Sequence, residues 1–187
     1  MSAPVLAWHF LAADRRMAHQ DEVVEAGYVY TYDGPLKLRG AGFHASVRAV
    51  DAIQYAPGPV VCRVRCSGEI IHNKDKLVAQ HREVLWMADA TSVLRLIACE
   101  CVRKTPLGNG RVVWDLLTDP RSREVVEVAE RYAHGKATDK ELAAARDAAS
   151  AAARDAAWDA AWAGASDFQN VIATRMLMKL APKLAKQ

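Results

Sequence analysis

Between Pro59 and Ser67 the chain runs Val-Val-Cys-Arg-Val-Arg-Cys. Val60, Cys62, Val64 and Cys66 fall on one side at a period of two, with Val61, Arg63 and Arg65 on the other. That alternation predicts a half-buried strand. Pro57-Gly58-Pro59 ends whatever precedes it, and Ser67-Gly68 turns or bulges the strand into Glu69-Ile70-Ile71. A chain built on such a strand needs a sheet with one apolar face, and the remaining segments are read as parts of it or packed on it.

Val5 to Leu11 predicts a first strand, with Trp8 and Phe10 on one face and His9 on the other. Asp14 to Glu22 is polar and reads as a loop. Tyr28, Tyr30 and Tyr32 share a face in a second strand region that stops at Asp33-Gly34-Pro35, and Leu36 and Leu38 alternate with Lys37 and Arg39 beyond it. Ser46 is placed to cap a short helix over Val47 to Tyr55. Leu77 to Met87 is a further strand anchored by Val78 and Val84, although its alternation is poor. Thr91 or Ser92 opens a helix through Arg103, with Leu94, Ile97 and Cys101 on one stripe. Asp119-Pro120 precedes a helix from Arg121 to Ala133.

From Thr138 the composition changes. Thr138 and Glu141 form a capping box, and the run that follows repeats AAARDAAS, AAARDAAW and DAAW. Alanine has the highest helix propensity, so a long helix is expected, with a break near residue 165 at Gly164 and Ser166-Asp-Phe-Gln169. Alanine faces bury little area, so such a helix is expected to be held by a partner helix. Trp158 and Trp162, four apart, are its expected anchors in a homo-oligomer. The fold class expected is therefore α+β: a small, mostly antiparallel sheet with short helices, followed by a long alanine-rich helical segment. The expected boundaries are 1–104 for the sheet domain, 105–137 for a helical linker and 138–187 for the tail.

Half of the 187 residues are apolar, a share that alanine inflates, and the mild net charge of +3 does not indicate a nucleic-acid module, which usually shows a denser basic face. No apolar run approaches the roughly 20 residues of a membrane span. Four cysteines without a signal peptide point to a reducing cytoplasm. Cys99-Glu-Cys101 is too tight for a zinc pair, and Cys62 and Cys66 stand about 13 Å apart along a strand, so no metal is expected. No phosphate loop, dinucleotide fingerprint or Gly-x-Ser-x-Gly elbow is present, and no cofactor is expected.

The candidate binding residues gather around Gly40 and Gly42. His44 stands in that glycine frame as a binding imidazole, or as one that hydrogen-bonds its own turn. Arg39, Arg63 and Arg65 form a candidate anion pocket with the turn's amides, or else a solvated strand face. Phe43, Ser46 and Tyr55 complete the set, the serine as a hydrogen-bonding group and the tyrosine as a stacking surface. No glutamate pairs with a nucleophile, so no catalytic residue is assigned.

Val24-Glu-Ala-Gly27-Tyr-Val-Tyr30, Gly42-Phe43-His44-Ala45, Asp51 with Tyr55-Ala-Pro57, Val64 with Ser67-Gly68-Glu69, and Lys76-Leu-Val78-Ala79 together carry a resemblance. Over residues 5–102 the chain resembles an uncharacterised domain of tailed-phage and prophage proteins with a Gly-Phe-His-Ala core, often followed by Arg-Asp-Ala-Ala-Trp tails. Arg39 departs from that pattern, which often has a cysteine there. The resemblance brings no activity of its own. A phage setting implies a host-defence antagonist that sequesters a nucleotide-derived immune signal without turning it over. The alternatives are an ADP-ribosyltransferase-like enzyme, suggested by Trp8-His9-Phe10 and Tyr55-Ala56, and a protein-binding inhibitor with no small ligand.

Overall fold

The computed structural model describes residues 3–17, 22–107, 110–153 and 166–182. The chain is an α+β protein that divides into two compact units, Met1–Ala90 with Leu177–Gln187, and Thr91–Met176. The helix beginning at Thr91 therefore groups with the later helices and not with the sheet, whereas the sequence reading drew its boundary after residue 104.

The first unit carries five strands, β1 (Val5–Leu11), β2 (Val29–Thr31), β3 (Phe43–Ala45), β4 (Val60–His72) and β5 (Leu77–Asp89), and one short helix, α1 (Ala49–Gln54). The order β1-β4-β5-β2 is antiparallel throughout. β4 and β5 form a long hairpin closed by the Asn73–Lys76 turn, where the Asn73 amide donates to the Lys76 carbonyl at 2.8 Å. β2 and β3 lie one after the other along the free edge of β5, opposite 81–83 and 77–79. Just past β3, Ser46 and Trp8 of β1 exchange two backbone hydrogen bonds of 2.8 and 2.9 Å, so the sheet curls back on its first strand.

Two irregularities explain what the alternation pattern does and does not reveal. Opposite Arg63 and Val64 the register jumps from Trp86 to Val84, leaving Leu85 as an extra residue on β5. That bulge is why the parity of Leu77–Met87 is poor while β4 alternates cleanly. The second jump, between Ser67 and Ile70, includes Gly68 at φ +80°, where an added Cβ would come within 2.6 Å of the His81 ring. Cys62, Val64, Cys66, Leu77, Ala79 and Val84 form the core together with Ala7, Leu11 and Tyr30, all buried. Fully burying a valine or leucine contributes roughly 2 kcal/mol, so this cluster dominates the unit's stability.

Two local expectations are corrected. The alternation of Leu36 and Leu38 with Lys37 and Arg39 does not mark an extended segment but a turn: the Lys37 carbonyl accepts from the Gly40 and Ala41 amides, and Arg39 takes φ +66°. Ser46 does not cap α1, because its backbone is committed to Trp8; Arg48 stands at the N-cap in extended conformation, and the helix starts at Ala49.

The second unit is helical: α2 (Thr91–Lys104), a 3-10 turn (Val113–Leu116), α3 (Pro120–Ala133), α4 (Asp139–Ala153) and most of α5 (Ser166–Met178). Asp119 caps α3 by accepting the Arg121 amide at 2.8 Å, with Pro120 at the first helical position. The capping box of α4 forms as expected: Thr138 Oγ1 accepts the Glu141 amide at 3.3 Å while Glu141 accepts the Thr138 amide at 2.7 Å. One apolar cluster joins Cys99, Leu117 and Val126, and a second joins Val128, Leu142 and Ala145. The expected break near residue 165 at Gly164 falls outside the described residues, as do Trp158 and Trp162. Among the described residues no helix is long and apolar enough to cross a membrane.

Candidate functional site

β3 presents His44 between two residues of the core cluster, Ala45, which is buried, and Phe43, which is partly buried against it. Gly42 makes this possible: at φ +103° it lets the chain enter β3 hard against Val78 and Leu36. The His44 ring folds back on the Lys37–Ala41 turn, its Nε2 accepting the Arg39 amide at 3.2 Å. The imidazole is thus a clasp on its own turn. Burial lowers its pKa, opposed by hydrogen bonds to the backbone of Gly42 and Lys37, and the positive charges of Lys76 and Arg82 lower it further. It is held neutral in a positive surrounding.

Lys76 links this turn to Tyr55, half-exposed at the end of α1. The Lys76 ammonium lies 4.2 Å from the centre of the Tyr55 ring, and the Tyr55 hydroxyl donates to Asp75. That hydrogen bond raises the Tyr55 pKa and lowers that of Asp75, and Arg39 is close enough to act on both charges. Arg39, His44 and Tyr55 are therefore brought together, with Lys76 as a fourth member that sequence reasoning missed. The signal was available: Lys76 ends the Asn73–Lys76 turn and immediately precedes β5, the strand that pairs with β3.

The other predicted site residues go elsewhere. Arg63 and Arg65 do not join His44 in one pocket, because the register sets them opposite Trp86 and Glu83 while His44 sits opposite Val78. At about 3.3 Å per residue, five to eight positions of β5 separate them from His44. Arg65 pairs with Glu83 at 2.6 Å, and Arg63 lies 4.5 Å from the centre of the Trp8 ring, with Trp86 edge-on to that ring. Burial lowers the Arg63 pKa. Ser46 is buried as the bridge to β1, and Phe43 turns into the core.

The core of the first unit holds a polar group that the sequence did not announce. Arg82 of β5 is 4 % exposed, with its guanidinium 4.9 Å from the Phe43 ring centre. Its Nη1 donates to the His44 carbonyl at 3.5 Å, and its buried Nε has no hydrogen-bond partner. His9, the β1 partner of Cys62, lies close by; burial, then the charges of Arg82 and His44, hold its imidazole well below the usual range. Burial pushes Cys62 up to about 12 and Cys66 to about 11, so neither thiol is a ready nucleophile.

Among the described residues no group of three or more His, Cys, Asp or Glu side chains is placed to hold a metal. In the second unit a groove of about 720 Å³ runs along α2 and α3, and ion pairs occupy much of its wall: Arg103 with Glu130, Lys104 with Glu100. Two further glutamates are similarly engaged, Glu83 by Arg65 and Glu100 by Lys104 and Arg175. No family model, curated protein or solved structure matches the chain.

Proposed function

We propose that the first unit is a non-catalytic binding module for a phosphate-bearing, nucleotide-derived small molecule. In the phage setting that the sequence resemblance implies, it acts against host defence by sequestering that molecule as an immune signal. The observation that carries the reading is the Lys76–Tyr55 stack beside Arg39 and a neutral His44. Lysine and arginine at one corner offer charge-assisted hydrogen bonds to phosphate, and an exposed aromatic ring offers a face for a base. An imidazole clasped to its own turn and held neutral favours capture over proton transfer. Self-association through the alanine-rich tail, anchored by Trp158 and Trp162, belongs to the same proposal.

Calorimetric titration of the full chain with cyclic dinucleotides and ADP-ribose tests it. A binding isotherm that weakens at least tenfold in Lys76→Ala, with unchanged ligand recovered after denaturation, supports capture. Release of nicotinamide from NAD would instead indicate an ADP-ribosyltransferase-like enzyme, and silence across the panel would leave a protein-binding inhibitor. The molar mass in solution of a Trp158→Ala, Trp162→Ala double variant checks the tail; an unchanged oligomer removes its assigned role.

A further inference from the structure

An arginine only 4 % exposed is ordinarily met by a carboxylate, because an unpaired charge in an apolar interior is costly. Arg82 is met by none among the described residues. Its Nε is orphaned, and its Nη1 contact with the His44 carbonyl, at 3.5 Å, is long for a hydrogen bond. The Phe43 ring offers a partial electrostatic answer at 4.9 Å. The remaining neighbours do not supply a counter-charge. The Cys62 and Cys66 thiols stay protonated at neutral pH, and His9 is neutral there. The Tyr30 hydroxyl, across β2 from Arg82, accepts the Glu25 amide at 2.9 Å.

We propose that Arg82 anchors an interior site for an oxyanion, a carboxylate or phosphate group carried free or as the acidic end of a small ligand, with His9, Tyr30 and Phe43 around it. The planar fork of arginine matches either oxyanion, and the bare Nε is a donor left over for one of its oxygens. Aromatic and thiol neighbours suit a ligand whose acidic end is attached to an apolar or ring-bearing body. This site involves different side chains from the corner of Arg39, Tyr55 and Lys76. An arginine kept for binding is also expected to burden stability, since apolar replacement of buried charge is often neutral or stabilising.

Thermal unfolding of the full chain and of Arg82→Met, titrated with inorganic phosphate and separately with acetate at constant ionic strength, tests the assignment. The wild-type chain should show a rise in Tm that grows with the logarithm of anion concentration and reaches about 4 °C at ten times the dissociation constant of the better anion. Arg82→Met should melt no lower than wild type without anion and lose that rise. A response to phosphate marks a phosphate ligand and a response to acetate a carboxylate; either supports the site. No rise in Tm for wild type with either anion, or the same rise in Arg82→Met, overturns it. Should Arg82→Met fail to fold, Arg82→Lys decides: the charge without the fork should weaken anion binding about tenfold, and an unchanged affinity overturns the proposal.

Discussion

Arg103 and Arg82 each lie over an aromatic ring, Trp114 at 4.2 Å and Phe43 at 4.9 Å. Beyond the ring they differ in every respect. Arg103 sends Nε and Nη2 to the two carboxylate oxygens of Glu130 at 2.6 and 2.8 Å, a bidentate staple between α2 and α3 that raises its pKa. Arg82 is far more deeply buried, and the interior lowers its pKa without a carboxylate to restore it. The helical unit uses charge to hold its elements together. The sheet unit keeps a buried charge that no carboxylate among the described residues meets.

The contrast depends on β3 being fixed, because the His44 carbonyl is the acceptor given to Arg82. Gly42→Ala attacks that support most directly. At φ +103° an L side chain is strained, and its Cβ would approach Val78 Cγ2 to 2.6 Å and Leu36 Cδ2 to 2.7 Å. The expected loss is about 3 kcal/mol in denaturant unfolding. A loss below about 1 kcal/mol would mean that β3 shifts without penalty, and the acceptor for Arg82 would no longer count as fixed.

Acid separates the two regions next. His9 and His44 are both depressed from the ordinary imidazole value of 6.5, first by burial and then by positive neighbours: Arg82 and His44 for His9, Lys76 and Arg82 for His44. The unfolded chain therefore binds protons that the folded chain refuses. Their stability is fully present above pH 6.5 and is lost as pH falls from there through the folded values. The Tm should decline over that window, and His9→Asn should flatten the decline more than His44→Asn. Equal curves for wild type and both variants would remove the positive interior from the account.

β4 was legible because seven residues alternate without a defect, and α3 and α4 because their caps, Asp119-Pro120 and Thr138 with Glu141, are local chemistry. β5 was legible only as an approximate strand, since the extra residue Leu85 breaks the count that parity relies on. Of the candidate site, His44, Arg39 and Tyr55 come together through the register of β3 on β5 and the turn before β3. Arg63 and Arg65 share a side of β4, yet same-face membership says nothing about distance along a thirteen-residue strand. Arg82 had no sequence signal: in Gln-His-Arg-Glu-Val it reads as one more solvated charge. Only the pairing with Cys66 and Tyr30 puts it inside.

Removing the staple gives a smaller effect. In Glu130→Ala, Arg103 keeps Trp114 but loses two charge-assisted hydrogen bonds at a site where both partners are about 30 % exposed. A loss of about 1.5 kcal/mol is expected, read by chemical unfolding and reduced at high salt. If Arg82→Met destabilises the chain by as much as Glu130→Ala does, the two arginines play the same part and the comparison fails.

The smallest expected effect sharpens where the binding surface ends. Arg65 and Glu83 form an exposed cross-strand pair, with the arginine 47 % exposed, so Arg65→Ala should change stability by no more than about 0.5 kcal/mol. Its charge stands opposite Glu83, five positions along β5 from the partner of His44. Partial neutralisation by that carboxylate, together with the separation, should leave ligand affinity within about twofold of wild type at physiological salt, where fields are screened over roughly 8 Å. Lys76→Ala, which strips the cation from the Tyr55 ring itself, should weaken the same ligand at least tenfold. Matching losses in calorimetry would extend the surface up the hairpin past Glu83 and make the ligand larger than a mononucleotide. A loss confined to Lys76 keeps the proposed ligand at the β3 turn, beside the Tyr55 ring.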